Sequence, residues 1–257
     1  MRDDFAALAR GPEDAIDVVR AALLIAREEY PALDVDAERA RVDALARDVS
    51  PRRPEALNAF FFKRFRGNTK DYYDPRNSYL NDVLDRRTGI PITLSVIYVD
   101  IARRLGLPAS GVGFPGRYLV RCADALVDCF DGRVIDRERC QELLDEFGGD
   151  RMRLSDGMLR DSAPRETIAR MLTNLRGVFL RRGEPARALR FAELAASLHP
   201  DAAGPLRDRG VILLHLEQFG RAVGDLEEYA RRAPDAPDKD AVREQLSLAR
   251  ALLARVN

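Results

Sequence analysis

Residues 89–128 read GIPITLSVIYVDIARRLGLPASGVGFPGRYLVRCADALVD, and their pattern decides the fold. Gly89-Ile90-Pro91 makes a turn. Proline suits the first helical position, where its fixed φ is already helical and its missing N–H would have had no partner. Residues 92–105 then read as a helix. Its apolar positions, Ile92, Leu94, Val96, Ile97, Tyr98, Val99, Ile101, Ala102 and Leu105, cover nearly the whole circumference. A helix apolar all round is buried in a core. Gly106 stops it and Pro108 follows, a normal C-terminal signal. Two short runs rich in strand formers come next, 118–122 and 125–130, split by Ala123-Asp124. They predict a hairpin packed on the helix.

A buried helix followed by antiparallel strands resembles the central layout of the papain/transglutaminase superfamily. In that layout a nucleophilic Cys sits at the helix N-terminus, where unpaired N–H groups and the helix dipole favour a thiolate. A His on the next strand takes the proton, and an Asp on the neighbouring strand orients that His. Laid on this chain, the Cys position falls at Pro91 or Ile92, the His position at Arg117 and the Asp position at Asp128. Only the Asp is kept. The layout argues for the fold, and the residues argue against the chemistry.

A closer resemblance lies in longer runs. YYDPRNSYLNDVLDRRTGIPITLSVIYVDIARRLGLP (72–108), GVGFPGRYLVR (111–121) and VDCFDGRVI (127–135) closely resemble the SirB family, bacterial transglutaminase-like proteins with tetratricopeptide repeats behind. IARMLTNLRGVFLRRGEPARAL (168–189) and LRDRGVILL (206–214) are also similar to that family. The match runs from roughly Pro54 onward. It implies a scaffold whose members generally lack the Cys. Many members carry His where this chain has Arg117, and Pro where it has Cys129.

The 257 residues allow one large or two small domains. Lys+Arg and Asp+Glu both number 42, so no net field draws in nucleic acid or an anionic membrane. Three cysteines, Cys122, Cys129 and Cys140, form no CxxC pattern and leave one unpaired, which points to a reducing cytosol. The acidic N-terminus, MRDDFAALARGPED, lacks the apolar core of a signal peptide, and no apolar run approaches the ~18–20 residues of a bilayer span. A cytoplasmic protein is the expectation.

Taken in order, residues 14–30 predict an amphipathic helix with Ile16, Val19, Leu23 and Ala26 inward. Asp34 or Asp36 caps the next, through about Val49. The run 50–54 is a linker, and the phenylalanines of 55–65 read as a core anchor. Asn77 is expected to cap a helix over 78–87, with Tyr72 and Tyr73 in the loop before it. Asp136 starts another helix, closed by Phe147-Gly148-Gly149, and residues 150–165 form a connector. Beyond it the chain repeats: Gly183, Ala188 and Pro200 recur as Glu217, Ala222 and Pro234, each 34 residues on, the tetratricopeptide period. Residues 240–256 close the array, which is short enough to need support from the N-terminal domain.

The candidate chemistry is thin. None of the cysteines starts the buried helix, and no His is near them. The hairpin register puts Cys122 and Cys129 on one face of the sheet, with Arg117 and Asp128 on the other. Thr93 and Ser95 lie in the first turn of the helix without a base; His199 and His215 both belong to the repeats, so zinc is not expected. Arg117 and Asp128 are diagonal neighbours able to form an ion pair, and a guanidinium is no general base.

The expected fold is therefore α+β: a mostly helical papain/transglutaminase-like domain with a small antiparallel sheet at 1–160, then two tetratricopeptide-like repeats plus a closing helix at 161–257. The expected role is a non-catalytic adaptor or regulatory protein that binds a protein or peptide, with no cofactor, metal, nucleic acid or membrane. A hydrolase or acyltransferase with an unidentified site is the alternative. Candidate site residues are the degenerate-triad positions Pro91, Ile92, Arg117 and Asp128, a cleft at Tyr72, Tyr73, Asn77 and Thr93, and a repeat groove at Arg170, Asn174, Arg207 and Arg209.

Overall fold

The structure, a computed structural model, describes residues 2–149 and 152–256. Of the expected connector, Asp150 and Arg151 lie outside the described residues, as do Met1 and Asn257 of the two expected domains. In chain order the elements are α1 (Arg2–Arg10), α2 (Val18–Ala26), α3 (Val35–Arg47), α4 (Pro54–Arg64), β1 (Arg66–Gly67), α5 (Leu80–Arg86), β2 (Thr88–Gly89) and α6 (Pro91–Arg104). Then come β3 (Ala109–Val112), β4 (Leu119–Cys122), β5 (Ala125–Asp128), β6 (Arg133–Ile135) and α7 (Arg137–Gly148). The chain ends on α8 (Pro164–Arg181), α9 (Pro185–Leu198), α10 (Ala203–His215), α11 (Phe219–Arg232) and α12 (Lys239–Val256). Two compact units emerge, one built on Gly11–Met171, the other on Arg2–Arg10 together with the chain from Leu172 on.

The first unit is mostly helical with a small sheet, and α6 is its hub. Pro91 opens α6 at its first position, and Gly106, at φ +79°, turns the chain away after its end. Every residue from Pro91 to Tyr98 is buried, as are Ile101 and Ala102. Full burial of each Ile, Leu or Val there contributes about 1.5–3 kcal/mol. The helix touches α2, α3, α4 and α5 on its sides and β3 and β4 in front. The sheet runs β3-β4-β5-β6, all antiparallel, with Cys122 opposite Ala125 and Val120 opposite Val127. Its far face closes on α7 through Val112, Phe114, Leu119, Leu126, Ile135, Cys140, Leu143 and Leu144.

Several local expectations need correction. Helix α2 is not an amphipathic stripe: Val19 and all of Ala21 to Ala26 are buried, so it is a second core helix. Asp34, not Asp36, caps α3, accepting from the N–H groups of Asp36 and Ala37. Asn77 caps nothing, since α5 starts at Leu80 with Tyr79 in the cap position. A short 3₁₀ turn at Pro75–Asn77 intervenes, capped by Asp74. The sheet has four strands where the sequence predicts a hairpin; β3 (ASGV) is poor in strand formers and β6 is only three residues long.

In the second unit the 34-residue period is visible in the backbone. Gly183 (φ +70°) and Glu217 (φ +58°) occupy the same left-handed turn position. Glu184 N–H donates to Phe179 O, and Gln218 N–H repeats the bond to Leu213 O. Gly210 is pressed against α11, where a Cβ would stand 2.9 Å from the Leu226 side chain. Phe179 and Phe191 stack at 5.6 Å.

Candidate functional site

The site is built from the start of α6, the turn before β4 and the end of β5. Pro91 and Ile92, where the sequence reading expects the nucleophile position, are two apolar side chains buried in the core. Thr93, one residue on, is wholly buried and its Oγ1 has no hydrogen-bond partner among the described residues. Arg117 and Asp128 meet: Nε stands 3.2 Å from Oδ2. The two atoms face each other off the hydrogen-bond axis, so the contact is ionic.

Asp128 has no solvent exposure. Its Oδ1 accepts from the N–H groups of Phe130 (2.9 Å) and Asp131 (3.1 Å). Burial pushes its carboxyl above the usual range, and the charge of Arg117 opposes that shift. Arg117 also reaches Asp131 (3.0 Å), which Arg133 shares (2.9 Å), and lies 5.0 Å from the centre of the Phe130 ring. An open depression of about 240 Å³ flanks Arg117, bounded by Gly116, Leu143, Glu146 and Phe147.

No thiol is poised for attack. Cys122, Cys129 and Cys140 are unbridged and buried, and burial pushes all three thiols up. Tyr98 stands beside Cys122 and Ser95 beside Cys129, so these two thiols face α6, away from the α7 side. A nucleophilic thiolate needs the reverse environment, electropositive and accessible.

The expected cleft residues split in two. Tyr72 and Tyr73 are 40% and 49% exposed, edge to face at 5.3 Å, with Tyr72 also against Phe130 at 6.0 Å. Asn77 is buried and acts as a bracket for the loop. Its Nδ2 donates to Asp71 O (2.7 Å) and Tyr72 O (3.3 Å), while its Oδ1 accepts from Asn68 and Arg86.

A separate cavity of about 120 Å³ runs along α6 beside Ser95, Val96 and Val99, floored by Gly111, Tyr118 and Thr167. Pro91, Arg117 and Asp128 take no part in it. Thr167 Oγ1 donates to Ala163 O (3.1 Å), so in the 2.7 Å contact with Thr167 the Tyr118 hydroxyl is the donor.

Of the groove residues, Arg170 turns to the first unit's own backbone, donating to Phe114 O and Arg117 O. Asn174 is half-buried. Arg207 pairs with Asp208 (2.7 Å) and Asp238 (2.6 Å), and Arg209 grips Asp225 with two bonds of 2.7 Å. The residues that sequence reasoning passed over are Phe130, Asp131 and Tyr118. Asp131-Gly132 has the composition of a turn, and nothing local marks Asp131 as a partner of Arg117.

Comparison with known proteins agrees with the fold. A family model described as transglutaminase-like superfamily matches residues 29–173. The chain belongs to that superfamily. A tetratricopeptide repeat model matches residues 175–247 of this transglutaminase-like protein. It is 36% identical to a UPF0162 protein of Xylella fastidiosa, over 93% of this chain and 92% of the relative. A UPF0162 protein of Pseudomonas aeruginosa is 32% identical over 77% of each chain. F-box only protein 21 of Homo sapiens is 43% identical over 88 residues, 32% of this chain and 14% of that protein.

Proposed function

We propose that this transglutaminase-like protein, of the SirB type, is a non-catalytic adaptor or regulatory protein. It holds a protein or peptide through the degenerate cleft, its helical repeats or both. The observation that carries the reading is the Arg117–Asp128 ion pair, which we take to stand in for the superfamily's His–Asp pair. A guanidinium keeps its proton at neutral pH and cannot accept one from a nucleophile. The buried, unbridged cysteines support the same reading and fit a reducing cytoplasm. We place the working division at residues 160/161, with the interaction repeats behind it.

Thiol alkylation of the intact, folded chain tests this. All three cysteines should resist iodoacetamide from about pH 6 to pH 8, and label only after unfolding. Rapid labelling of a single cysteine near pH 6, lost when only that residue is changed, would favour the alternative, a hydrolase or acyltransferase.

A further inference from the structure

The cavity along α6 has a floor of oxygen atoms whose protons are already placed. Ser95 Oγ donates to Tyr118 O (3.4 Å), the Tyr118 hydroxyl to Thr167 Oγ1 (2.7 Å), and Thr167 Oγ1 to Ala163 O (3.1 Å). The Ser162 hydroxyl bonds the same phenol, and with the phenol's proton on Thr167 it is the donor there. Ser95, Tyr118 and Thr167 are buried, at 0%, 3% and 6% exposure. Burial pushes the Tyr118 phenol up, so it keeps its proton at neutral pH. These hydroxyls therefore present lone pairs to the cavity. Thr167 Oγ1 donates once and accepts once, which leaves it one further acceptor site.

The walls and the mouth narrow the choice of ligand. Val96, Val99 and Pro164 line the cavity with carbon. Asp17 and Asp100 stand at the more open end, and Arg39 holds both, donating to Asp17 Oδ2 (2.8 Å) and Asp100 Oδ1 (2.8 Å). Asp43 pairs with Arg104 beside them (2.6 Å), and the exposed Arg103 donates to Ala109 O (2.9 Å). Three carboxylates and three guanidinium groups balance there, so no excess charge draws in an ion. The cavity and its lining lie wholly within the first compact unit.

We propose that this cavity binds an uncharged hydroxyl group on an apolar body of about benzene size. The ligand's O–H donates to Thr167 Oγ1, and its carbon body lies against Val96 and Val99. The volume of about 120 Å³ is close to the room, on the order of 150 Å³, in which an apolar protein cavity holds benzene. A carboxylate would meet lone pairs only. An ammonium would lose its water on a floor that carries no charged side chain among the described residues.

The test titrates the full chain and follows the Val96 and Val99 methyl signals by NMR. The probes are phenol, toluene, benzoate, benzylamine and acetyl-tyrosine-amide. Phenol should give saturable shifts and bind about fivefold or more tighter than toluene, its isostere without the proton. A merely apolar cavity gives the reverse order, because phenol then gives up water without a new bond. Benzoate and benzylamine should leave the methyls unmoved. The double variant Tyr118→Phe/Thr167→Val removes both oxygens and keeps their shapes, so it should bind toluene at least as tightly as phenol. Ala163 O keeps its bond from the Thr167 backbone N–H position (3.0 Å) in that variant. Val99→Phe fills the cavity and should abolish phenol binding, read on Val96. Tighter binding of acetyl-tyrosine-amide than of phenol assigns a partner's tyrosine as the occupant, and the reverse a free phenol or alcohol; either order supports the proposal. Toluene binding as tightly as phenol or tighter, saturation by either ion where phenol saturates, a phenol preference that survives the double variant, or phenol binding that survives Val99→Phe would each overturn it. The ligand series on the unaltered chain decides the chemistry should a variant fail to fold. Loss of this site leaves the non-catalytic reading standing, since Pro91, Arg117 and Asp128 do not line it.

Discussion

Arg117 Nε lies 3.2 Å from Oδ2 of Asp128, a carboxylate with no exposure to solvent. The cation is what makes a charged Asp128 tolerable there, because two N–H bonds to its other oxygen do not offset burial by themselves.

Arg117→Gln should therefore destabilise the fold by about 3 kcal/mol at neutral pH, by stranding the buried carboxylate. The sign with pH is fixed by Asp128, whose folded pKa is raised above its unfolded value. Such a group favours the fold below its unfolded pKa, and that help is lost as pH rises through the folded pKa. Removing Arg117 raises the folded pKa further. The melting-temperature gap between wild type and variant should thus be wide at pH 7 and shrink towards about pH 4. A gap that stays constant across that range would contradict the ion-pair account.

Gly111 leaves the space that Tyr118 occupies. A Cβ at 111 would lie 2.1 Å from the Tyr118 hydroxyl and 2.8 Å from its ring. Gly111→Ala should cost about 2–3 kcal/mol by overpacking. Adding Tyr118→Phe should recover part of the loss, because the nearest clash is with the hydroxyl; denaturant melts of the double-mutant cycle measure this. Strict additivity would mean that the two positions do not collide.

The loop before α5 hangs on one amide. Asn77→Ala removes four hydrogen bonds and uncovers two carbonyl groups, Asp71 O and Tyr72 O. A loss of about 2 kcal/mol or more is expected, with faster amide exchange across residues 68–77. Exchange that speeds up elsewhere instead would locate the bracket wrongly.

The two repeats offer a matched pair. Glu217 sits in the left-handed conformation that Gly183 adopts 34 residues earlier. Glu217→Gly should be neutral to stabilising by up to about 1 kcal/mol, and Gly183→Glu destabilising by about 1 kcal/mol. Thermal melts of the two variants report it, and equal losses in both would contradict the equivalence of the turns.

These cases also show which parts of the chain are legible before folding. Helix α6 is legible because its punctuation, Pro91 and Gly106, and its apolar circumference are all local. The hairpin register follows from period two and a two-residue turn, so the meeting of Arg117 with Asp128 could be read off spacing. Asn77 misleads, since its residue type is a good cap and only the fold reveals that its amide faces Asp71, Tyr72, Asn68 and Arg86. Arg170 misleads in the same way. Its helical position fits a repeat groove, but its partners are carbonyls more than fifty residues earlier in the chain. The fit of Gly111, on β3, to Tyr118, the residue before β4, depends on the β3–β4 register, which neither segment shows alone.

The most direct test of the central claim is a search for turnover. Purified full-length chain would be incubated with a mixture of peptides bearing glutamine amides, ester groups and internal amide bonds, with ammonia and new termini followed by mass spectrometry. The account predicts rates indistinguishable from buffer, unchanged in Arg117→Gln and Thr93→Ala. Steady product formation, abolished by one substitution among Thr93, Ser95, Cys129 and Asp128, would contradict it.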